Sequence, residues 1–362
     1  MFKTSKPNIL ITSPSINTKH NVSGIANLTR LLFENNSEIN YILFTAGKKD
    51  NEARGIKWLL KQFGVLLAFK KQINKEEISF AHINMPLEKA AILRDTSFAS
   101  ICRLIKKPYI LHLRGGAYSK NKQTPLLLKL LIKKSLKKAS QIIVLGNAEK
   151  NFICDFYNIK RDRITTLPNC VKVPELNQKE IDKTTKINIL YLGRIDRNKG
   201  LYEIIQALST LPTNINYSLS IAGDGPDRDW FIDSCMKNLK TNLKYEGIVS
   251  GLSKEKLLAK SHIFLLPSYF EGLPNALLEA MSYSVVPIVT PVGSIPDVVK
   301  QKENGLIVNI KDSNEIKNAI ELLIQNNETY KQLSRQAYRT ITENYSLNNY
   351  IIKLNKIYQS II

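Results

Sequence analysis

Short apolar runs alternate with helical patterns along almost the whole chain, and this alternation constrains the fold more than any other feature. In the first half, the runs predicted to be strands are residues 9–12, 41–44, 79–83, 109–113 and 141–145. The second half repeats the arrangement at residues 187–192, 218–222, 243–245, 263–266 and 286–289. Because strands that alternate with helices pair in parallel, the sequence predicts an α/β protein with two doubly wound, Rossmann-like domains.

The length of the chain agrees with two domains. Its 362 residues exceed the size at which a single hydrophobic core usually stops growing. We expect a first domain over residues 1–168, a linker over 169–186, a second domain over 187–345 and a last helix over 346–362. The linker is predicted from two prolines and a charged run that lacks any periodicity.

Basic residues are concentrated in the first half of the chain. The formal net charge is +21, and residues 1–170 contain 29 basic and 11 acidic side chains, so that +18 of this excess lies there. Such a charge favours an anionic partner, either nucleic acid or an anionic membrane. Aromatic residues are not clustered among the basic ones as in nucleic-acid-binding motifs. We therefore expect no nucleic-acid partner, and a basic nucleic-acid-binding protein remains a rival hypothesis.

One basic segment, residues 125–139, has the pattern of an amphipathic helix. Its lysines recur at helical spacing opposite a leucine-rich face: Lys129, Lys133 and Lys137 in one row, Lys134 and Lys138 in the next. Two interpretations are open: the helix lies on an anionic lipid surface, or it covers a sheet. Residues 54–71 are also basic, and there Trp58 and Phe69 are either interfacial anchors or core residues.

The remaining composition excludes several classes of protein. The four cysteines lie far apart and without ligand spacing, which predicts reduced thiols and no metal site: Cys102, Cys154, Cys170 and Cys235. No apolar run approaches the roughly 20 residues of a membrane-spanning helix, and the N-terminus lacks a signal-peptide core. We expect the protein to act in the cytoplasm, with contact to the inner face of the membrane as an additional expectation.

The segment 267–282 carries the strongest indication of function. It follows the predicted strand 263–266 and predicts a loop to Gly272 and then a helix whose first residue is Pro274. Free N–H groups at such a helix start attract phosphate or sugar oxygens. Glu271 in the loop and Glu279 in the helix can accept hydrogen bonds from hydroxyls. Together these features favour a ligand such as a nucleotide sugar.

With its neighbours, this segment resembles the signature of family 4 retaining glycosyltransferases (glycosyl transferases group 1), E-G-x-P-x-x-x-x-E. The resemblance extends through residues 191–200, 222–226, 287–297 and 304–308, and covers about residues 187–345 well but the first half only loosely. It implies the GT-B fold, in which two domains face each other across a cleft. It also implies that the last helix returns to the first domain.

The resemblance assigns most candidate residues to the donor. Arg194 and Lys199 follow the strand 187–192, and two cations at this spacing suit a diphosphate without a metal. The resemblance implies that Glu279 holds the ribose and Glu271 the donor sugar. The full set of predicted donor-binding residues is Gly24, Arg194, Lys199, Glu271, Gly272, Leu273, Pro274, Asn275 and Glu279.

Two residues are candidates for the position that borders the reaction from the acceptor side. His112 lies at the end of the strand 109–113, where relatives have a histidine near the reacting sugar, but in one register Arg114 occupies that position. Strand alternation directs both side chains to the same face. An arginine there could contact a phosphate or an anionic acceptor, but it could not act as a base. The candidate catalytic residues are therefore His112, Arg114 and Glu271.

We therefore predict a retaining, metal-independent glycosyltransferase of the hexosyltransferase class that uses a UDP- or GDP-linked sugar and no cofactor. The expected acceptor is a saccharide or lipid-linked saccharide in the synthesis of a cell-surface polysaccharide such as lipopolysaccharide or capsule. The resemblance implies a front-face displacement, since no carboxylate is an obvious covalent nucleophile. A phosphorylase or a nucleotide-sugar-binding protein of the same fold are the alternatives.

Overall fold

A computed structural model describes residues 6–17, 23–47, 56–75, 77–116, 118, 123–175, 186–239 and 242–362, with side chains omitted for 56–62 and 242. Contacts divide the chain into unit 1, Met1–Asn169 with Asn348–Ile362, and unit 2, Cys170–Leu347. Most of the predicted linker, residues 176–185, lies outside the described residues.

Unit 1 contains a parallel sheet of six strands in the order β2-β1-β3-β4-β5-β6. The strands are β1 Asn8–Ser13, β2 Asn40–Thr45, β3 Ile78–Met85, β4 Tyr109–Leu113, β5 Gln141–Val144 and β6 Ile164–Thr166. The helices between them are α1 Gly24–Asn35, α2 Ile56–Ile73, α3 Lys89–Leu104, α4 Leu126–Lys138 and α5 Asn147–Tyr157. The strand order reverses between β1 and β3, because the chain passes from β1 to β2 on one side and from β3 to β4 on the other.

Unit 2 contains a second parallel sheet of six strands in the order β12-β11-β10-β7-β8-β9. Its strands are β7 Ile187–Leu192, β8 Tyr217–Ala222, β9 Asn242–Gly247, β10 Ile263–Leu266, β11 Val286–Val289 and β12 Leu306–Ile307. Its helices are α6 Leu201–Ser209, α7 Arg228–Asn238, α8 Gly251–Lys260, α9 Asn275–Ser282, α10 Ile295–Val298, α11 Ser313–Gln325 and α12 Asn327–Asn344. The last helix, α13 Leu347–Gln359, contributes almost all of its residues to unit 1.

The two faces of the unit 1 sheet have different surroundings. Alternating residues of β3 such as Ala81 and Ile83 join the core cluster that includes Leu128 and Ile132 of α4. The residues between them point the other way, since successive strand residues face opposite sides. On that second face, His82 of β3 contacts Tyr358 of α13. The face beneath α4 is thus mainly apolar, and the face beneath α13 carries buried polar side chains.

The structure confirms the α/β class and the two doubly wound sheets. All ten predicted strands are present, with ends displaced by at most two residues. The short strands β6 and β12 were not predicted, because runs of three and two residues carry too little pattern. The prediction that Pro274 is the first helical residue was wrong: α9 begins at Asn275, and Pro274 is its extended N-cap residue.

Helix α4 covers the sheet, as one of the two interpretations required. Its buried residues include Leu128, Ile132 and Leu136, and its lysines are exposed or half-buried. Three leucines nevertheless remain on the outer side of its first half: Leu126, Leu127 and Leu130 are 71%, 65% and 55% exposed. Phe69 is fully buried, so it is a core residue and not an interfacial anchor, whereas the side chain of Trp58 lies outside the described residues. Within the described residues, no helix is both long and apolar enough to cross a bilayer.

Candidate functional site

The predicted donor residues of unit 2 follow β7 and β10, the two strands between which the strand order reverses. β7 and β10 are neighbours in the sheet, but the chain leaves β7 toward β8 on one side and β10 toward β11 on the other. Their following loops therefore diverge and leave a crevice beyond the carboxyl ends of the strands, the usual ligand position in open α/β sheets. The loop after β7 carries Arg194 and Lys199, and the loop after β10 carries Glu271.

Lys199 and Glu271 form an ion pair that joins these two loops. Lys199 Nζ donates to Glu271 Oε1 over 2.7 Å, and the hydroxyl of Ser268 donates to the same oxygen over 2.8 Å. Only 22% of the lysine side chain and 9% of the glutamate side chain are exposed. The backbone N–H of Tyr269 donates to the carbonyl of Asn198 over 2.8 Å, which holds the loops together. Two residues that lie 72 positions apart in sequence are thus in direct contact.

Glu279 has a cationic partner that sequence reasoning missed. Lys254 Nζ of α8 donates to Glu279 Oε1 over 2.7 Å, and the two side chains are 25% and 15% exposed. No sequence signal could have found Lys254, because its contact with Glu279 depends on how α8 and α9 pack. Both predicted glutamates of unit 2 are thus already paired with a lysine.

The start of α9 is held tightly against a neighbouring loop. The carbonyl of Gly272 accepts a hydrogen bond of 2.8 Å from the N–H of Ser294. Gly293 has a φ of +62°, and a Cβ added there would lie 2.2 Å from the carbonyl oxygen of Glu271, so only glycine fits. Leu273 is buried and Pro274 has no side-chain cap bond to the helix. Asn275 Oδ1 is buried and lacks a hydrogen-bond partner among the described residues, which leaves an acceptor at the helix start.

Arg194 does not contact Lys199 or Glu271. Its side chain is 70% exposed, and its charge partner is Asp196, with Nε 3.9 Å from Oδ2. An exposed arginine can change its rotamer at little cost, because water solvates the guanidinium in every position.

In unit 1, a cavity of about 190 Å³ lies at the corresponding reversal of strand order, between the carboxyl ends of β1 and β3. Thr12 and Ser13 line it from β1, and Asn84 lines it from β3. The hydroxyl of Ser13 is buried and has no partner among the described residues. Gly24 is the first residue of α1 and is preceded by the N-cap Ser23, whose neighbours at 18–22 lie outside the described residues. The sequence did not predict this cavity.

His112 and Arg114 lie on the same face of β4 but in different environments. His112 is fully buried, and its Nδ1 lies 3.1 Å from Nε2 of His82, whose Nδ1 lies 2.6 Å from the hydroxyl of Tyr358. Nε2 of His112 has no partner among the described residues. Arg114, beyond the end of the strand, is only partly buried. Of the two candidates, Arg114 is therefore the one that reaches the surface.

Both histidines are held neutral. Burial, and then the positive charge of Arg114, lower the pKa of His82 to about 3. The same two causes, with a further contribution from His82, place the pKa of His112 well below its usual range. The sequence contained a signal for this cluster, since His82 and Asn84 are polar residues two apart in a mainly apolar strand and therefore share one face.

Comparison with known proteins agrees with this geometry. Residues 172–340, nearly all of unit 2, match the model of the family described as glycosyl transferases group 1. The chain can also be superposed on HepE from Anabaena in complex with UDP and glucose, with a TM-score of 0.74, 14% identity, and coverage of 98% of this chain and 100% of that one. The superposition shows a shared GT-B fold.

Two curated relatives cover most of the chain. An alpha-1,4-N-acetyl-D-galactosaminyltransferase from Campylobacter jejuni, whose acceptor is a saccharide on diNAcBac-PP-undecaprenol, is 26% identical over 83% of this chain and 84% of its own. The UDP-Gal:alpha-D-GlcNAc-diphosphoundecaprenol alpha-1,3-galactosyltransferase from Escherichia coli is 24% identical over 83% of this chain and 80% of its own. The family match over residues 172–340 and these two relatives together support the interpretation of the chain as a group 1 glycosyltransferase.

Proposed function

We propose that this glycosyltransferase transfers a sugar, with retention of anomeric configuration and without a metal ion, from a nucleotide diphosphate sugar bound by unit 2. The observation that carries the proposal is the pairing of Lys199 with Glu271 between the loops after β7 and β10, and of Lys254 with Glu279 between α8 and α9. Each carboxylate and each cation is already fixed in place before a ligand binds.

A nucleotide diphosphate sugar offers partners for every member of these pairs. Its diphosphate attracts Lys199, and Arg194 can turn from Asp196 to the same group. Glu271 then accepts from hydroxyls of the sugar, and Glu279, oriented by Lys254, accepts from hydroxyls of the ribose. The N–H groups and the unpaired Asn275 Oδ1 at the start of α9 add further polar contacts.

The reaction needs positive charge where the leaving group develops negative charge. The bond between the anomeric carbon and the diphosphate oxygen breaks, and a bond to the acceptor oxygen forms on the same face of the sugar. The acceptor proton passes to the departing phosphate oxygen. Lys199 and Arg194 stabilise that oxygen electrostatically, as preorganised cations do at other sites of charge development.

The donor site is tested by thermal stabilisation with UDP, GDP and their sugar conjugates, because a ligand that binds only the folded state raises the melting temperature. We expect one nucleotide series to stabilise the wild type and to lose its effect in Glu279→Ala. The matched control is Glu321→Ala, which removes a lysine-paired carboxylate of similar exposure from α11. Stabilisation that survives in Glu279→Ala, or that no compound provides at millimolar concentration, would contradict the proposal.

We propose further that the acceptor is a lipid-linked saccharide of a cell-surface polysaccharide pathway, approached while unit 1 touches an anionic membrane. The names of both curated relatives include a diphosphate-linked undecaprenol acceptor. In unit 1, exposed Leu126, Leu127 and Leu130 lie on α4 beside its lysines, and α4 carries no acidic residue. Apolar side chains with flanking cations suit a headgroup layer.

Co-sedimentation with vesicles that contain one-third anionic lipid tests this contact. We expect binding at low salt that weakens as salt rises and that falls sharply in a Leu127→Ser, Leu130→Ser variant. The control is Ile352→Ser, which changes an equally exposed residue on α13, against the opposite face of the sheet. Equal binding by all three proteins would rule out α4 as the contact.

A further inference from the structure

Arg114 is a partly buried cation whose side-chain partners among the described residues are all neutral. Its Nε donates to Asn84 Oδ1 over 2.7 Å, and its Nη1 donates to Asn169 Oδ1 over 3.2 Å. Among the described residues, no carboxylate forms an ion pair with it. Two amide oxygens therefore fix the plane of the guanidinium, while its remaining N–H groups stay available.

The backbone around Arg114 is also fixed. The N–H of Arg114 donates to the carbonyl of Met85 over 3.1 Å, and the carbonyl of Gly115 accepts from the N–H of Leu87 over 2.7 Å. These bonds tie the residues after β4 to the residues after β3. The guanidinium therefore does not depend on a flexible loop for its position.

A second arginine of unit 1 shows the usual way to compensate such a charge. Arg94 donates through Nε and Nη2 to the two carboxylate oxygens of buried Asp95, over 2.7 and 2.9 Å. Taking an arginine partly out of water without a carboxylate costs free energy. A cation kept in that state at the carboxyl end of a parallel strand, where open α/β sheets bind their ligands, is suited to bind an anion.

The two histidines near Arg114 do not change the net charge around it. His82 and His112 lie beneath it on the same sheet face and remain neutral, so they neither add nor remove charge at neutral pH. Asn84, which orients Arg114, also lines the cavity between β1 and β3, so one side chain connects the arginine with the wall of that cavity.

We infer that Arg114 is an anion-binding residue of unit 1 that holds a phosphate group of the acceptor. The inference rests on the proposed function for the identity of the acceptor, but the anion site itself depends only on unit 1. It specifies that acceptors with a phosphate or diphosphate next to the sugar are favoured over uncharged glycosides. Arg194 and Lys199 would then bind the diphosphate of the donor, and Arg114 would bind the phosphate or diphosphate of the acceptor.

Binding of inorganic pyrophosphate, measured by titration calorimetry at low ionic strength, tests the site without any turnover. The measurement uses an Arg194→Ala, Lys199→Ala background, so that the proposed donor site no longer contributes. We expect binding to persist in this background and to weaken by about tenfold to a hundredfold when Arg114→Gln is added, as expected for loss of a charge-assisted contact.

The matched control is Arg163→Gln in the same background. Arg163 is another arginine that donates only to neutral oxygens, the carbonyls of Lys137 and Ala139 at the end of α4, and it lies at the opposite ends of the strands. Its removal should leave pyrophosphate binding unchanged. No binding in the background, or binding that survives Arg114→Gln, overturns the inference, whatever the donor experiment shows.

A kinetic comparison then identifies the source of the anion. The acceptors are α-GlcNAc diphosphate on a short alkyl chain and the α-alkyl glycoside of GlcNAc. With Arg114→Gln in the otherwise wild-type chain, we expect KM for the diphosphate acceptor to rise about tenfold or more, and KM for the donor to stay unchanged. A rise in the donor KM alone would assign the anion to the donor and refute the acceptor assignment.

Discussion

Breaking the Lys199–Glu271 pair should destabilise unit 2 by an amount that its geometry defines. In Lys199→Met, Glu271 keeps the hydrogen bond from Ser268 but loses the charge-assisted bond of 2.7 Å. A hydrogen bond to a charged group contributes about 1.5–3 kcal/mol. Because 22% of the lysine is exposed and water can partly replace it, we expect a loss of about 1–2 kcal/mol.

The chain offers a probe that is confined to unit 2. It contains two tryptophans, Trp58 in the first half and Trp230 in α7. Trp230 packs against the core of unit 2, so in a Trp58→Phe background its fluorescence reports the unfolding of that unit alone. With a urea m-value of about 2 kcal/mol/M, the expected loss lowers the midpoint by about 0.5–1 M.

A double-mutant cycle distinguishes the ion pair from other effects of the substitution. Glu271→Gln removes the other charge, and the combined variant removes both. If the pair is real, the second substitution costs less once the first is present, and the coupling free energy is about 1 kcal/mol. Losses that add within about 0.5 kcal/mol would refute the reasoning, because independent sites behave in that way.

Three further predictions follow from the same contacts. Gly293→Ala should lower the urea midpoint of unit 2 more than Gly247→Ala does. Both glycines have a φ near +60°, but only at Gly293 would the added Cβ meet a backbone oxygen, 2.2 Å away. Equal losses would show that conformational strain alone is responsible. Tyr358→Phe should destabilise unit 1 by about 1–3 kcal/mol, since it leaves Nδ1 of His82 buried without its partner. A loss of stability below about 0.5 kcal/mol, measured by calorimetry, would contradict that contact. Unit 1 should also lose stability as the pH falls below about 6.5, because His82 takes up a proton in the unfolded state but, with a pKa of about 3, not in the folded state. In the double variant His82→Asn, Tyr358→Phe, the slope of stability against pH should become smaller. An unchanged slope would exclude His82 as its source.

The sequence alone determined the class of fold, and it predicted where a donor would bind. Alternating apolar runs define strands and helices locally, since period and length distinguish them without reference to distant residues. The glutamates Glu271 and Glu279 were recognisable because their spacing places both near one helix start. The sequence did not predict the exact start of α9: the helix begins at Asn275, one residue after Pro274.

Tertiary structure decided which partners those residues have. Lys254 contacts Glu279 only because folding brings the start of α8 close to α9, and His82 meets Tyr358 across 276 positions of sequence only because α13 covers the sheet of unit 1. The same packing buries His112 and leaves Arg114 at the surface without a carboxylate among the described residues. Spacing along a chain specifies local geometry, but burial and charge compensation depend on segments that meet only after folding, so no local pattern could have revealed them.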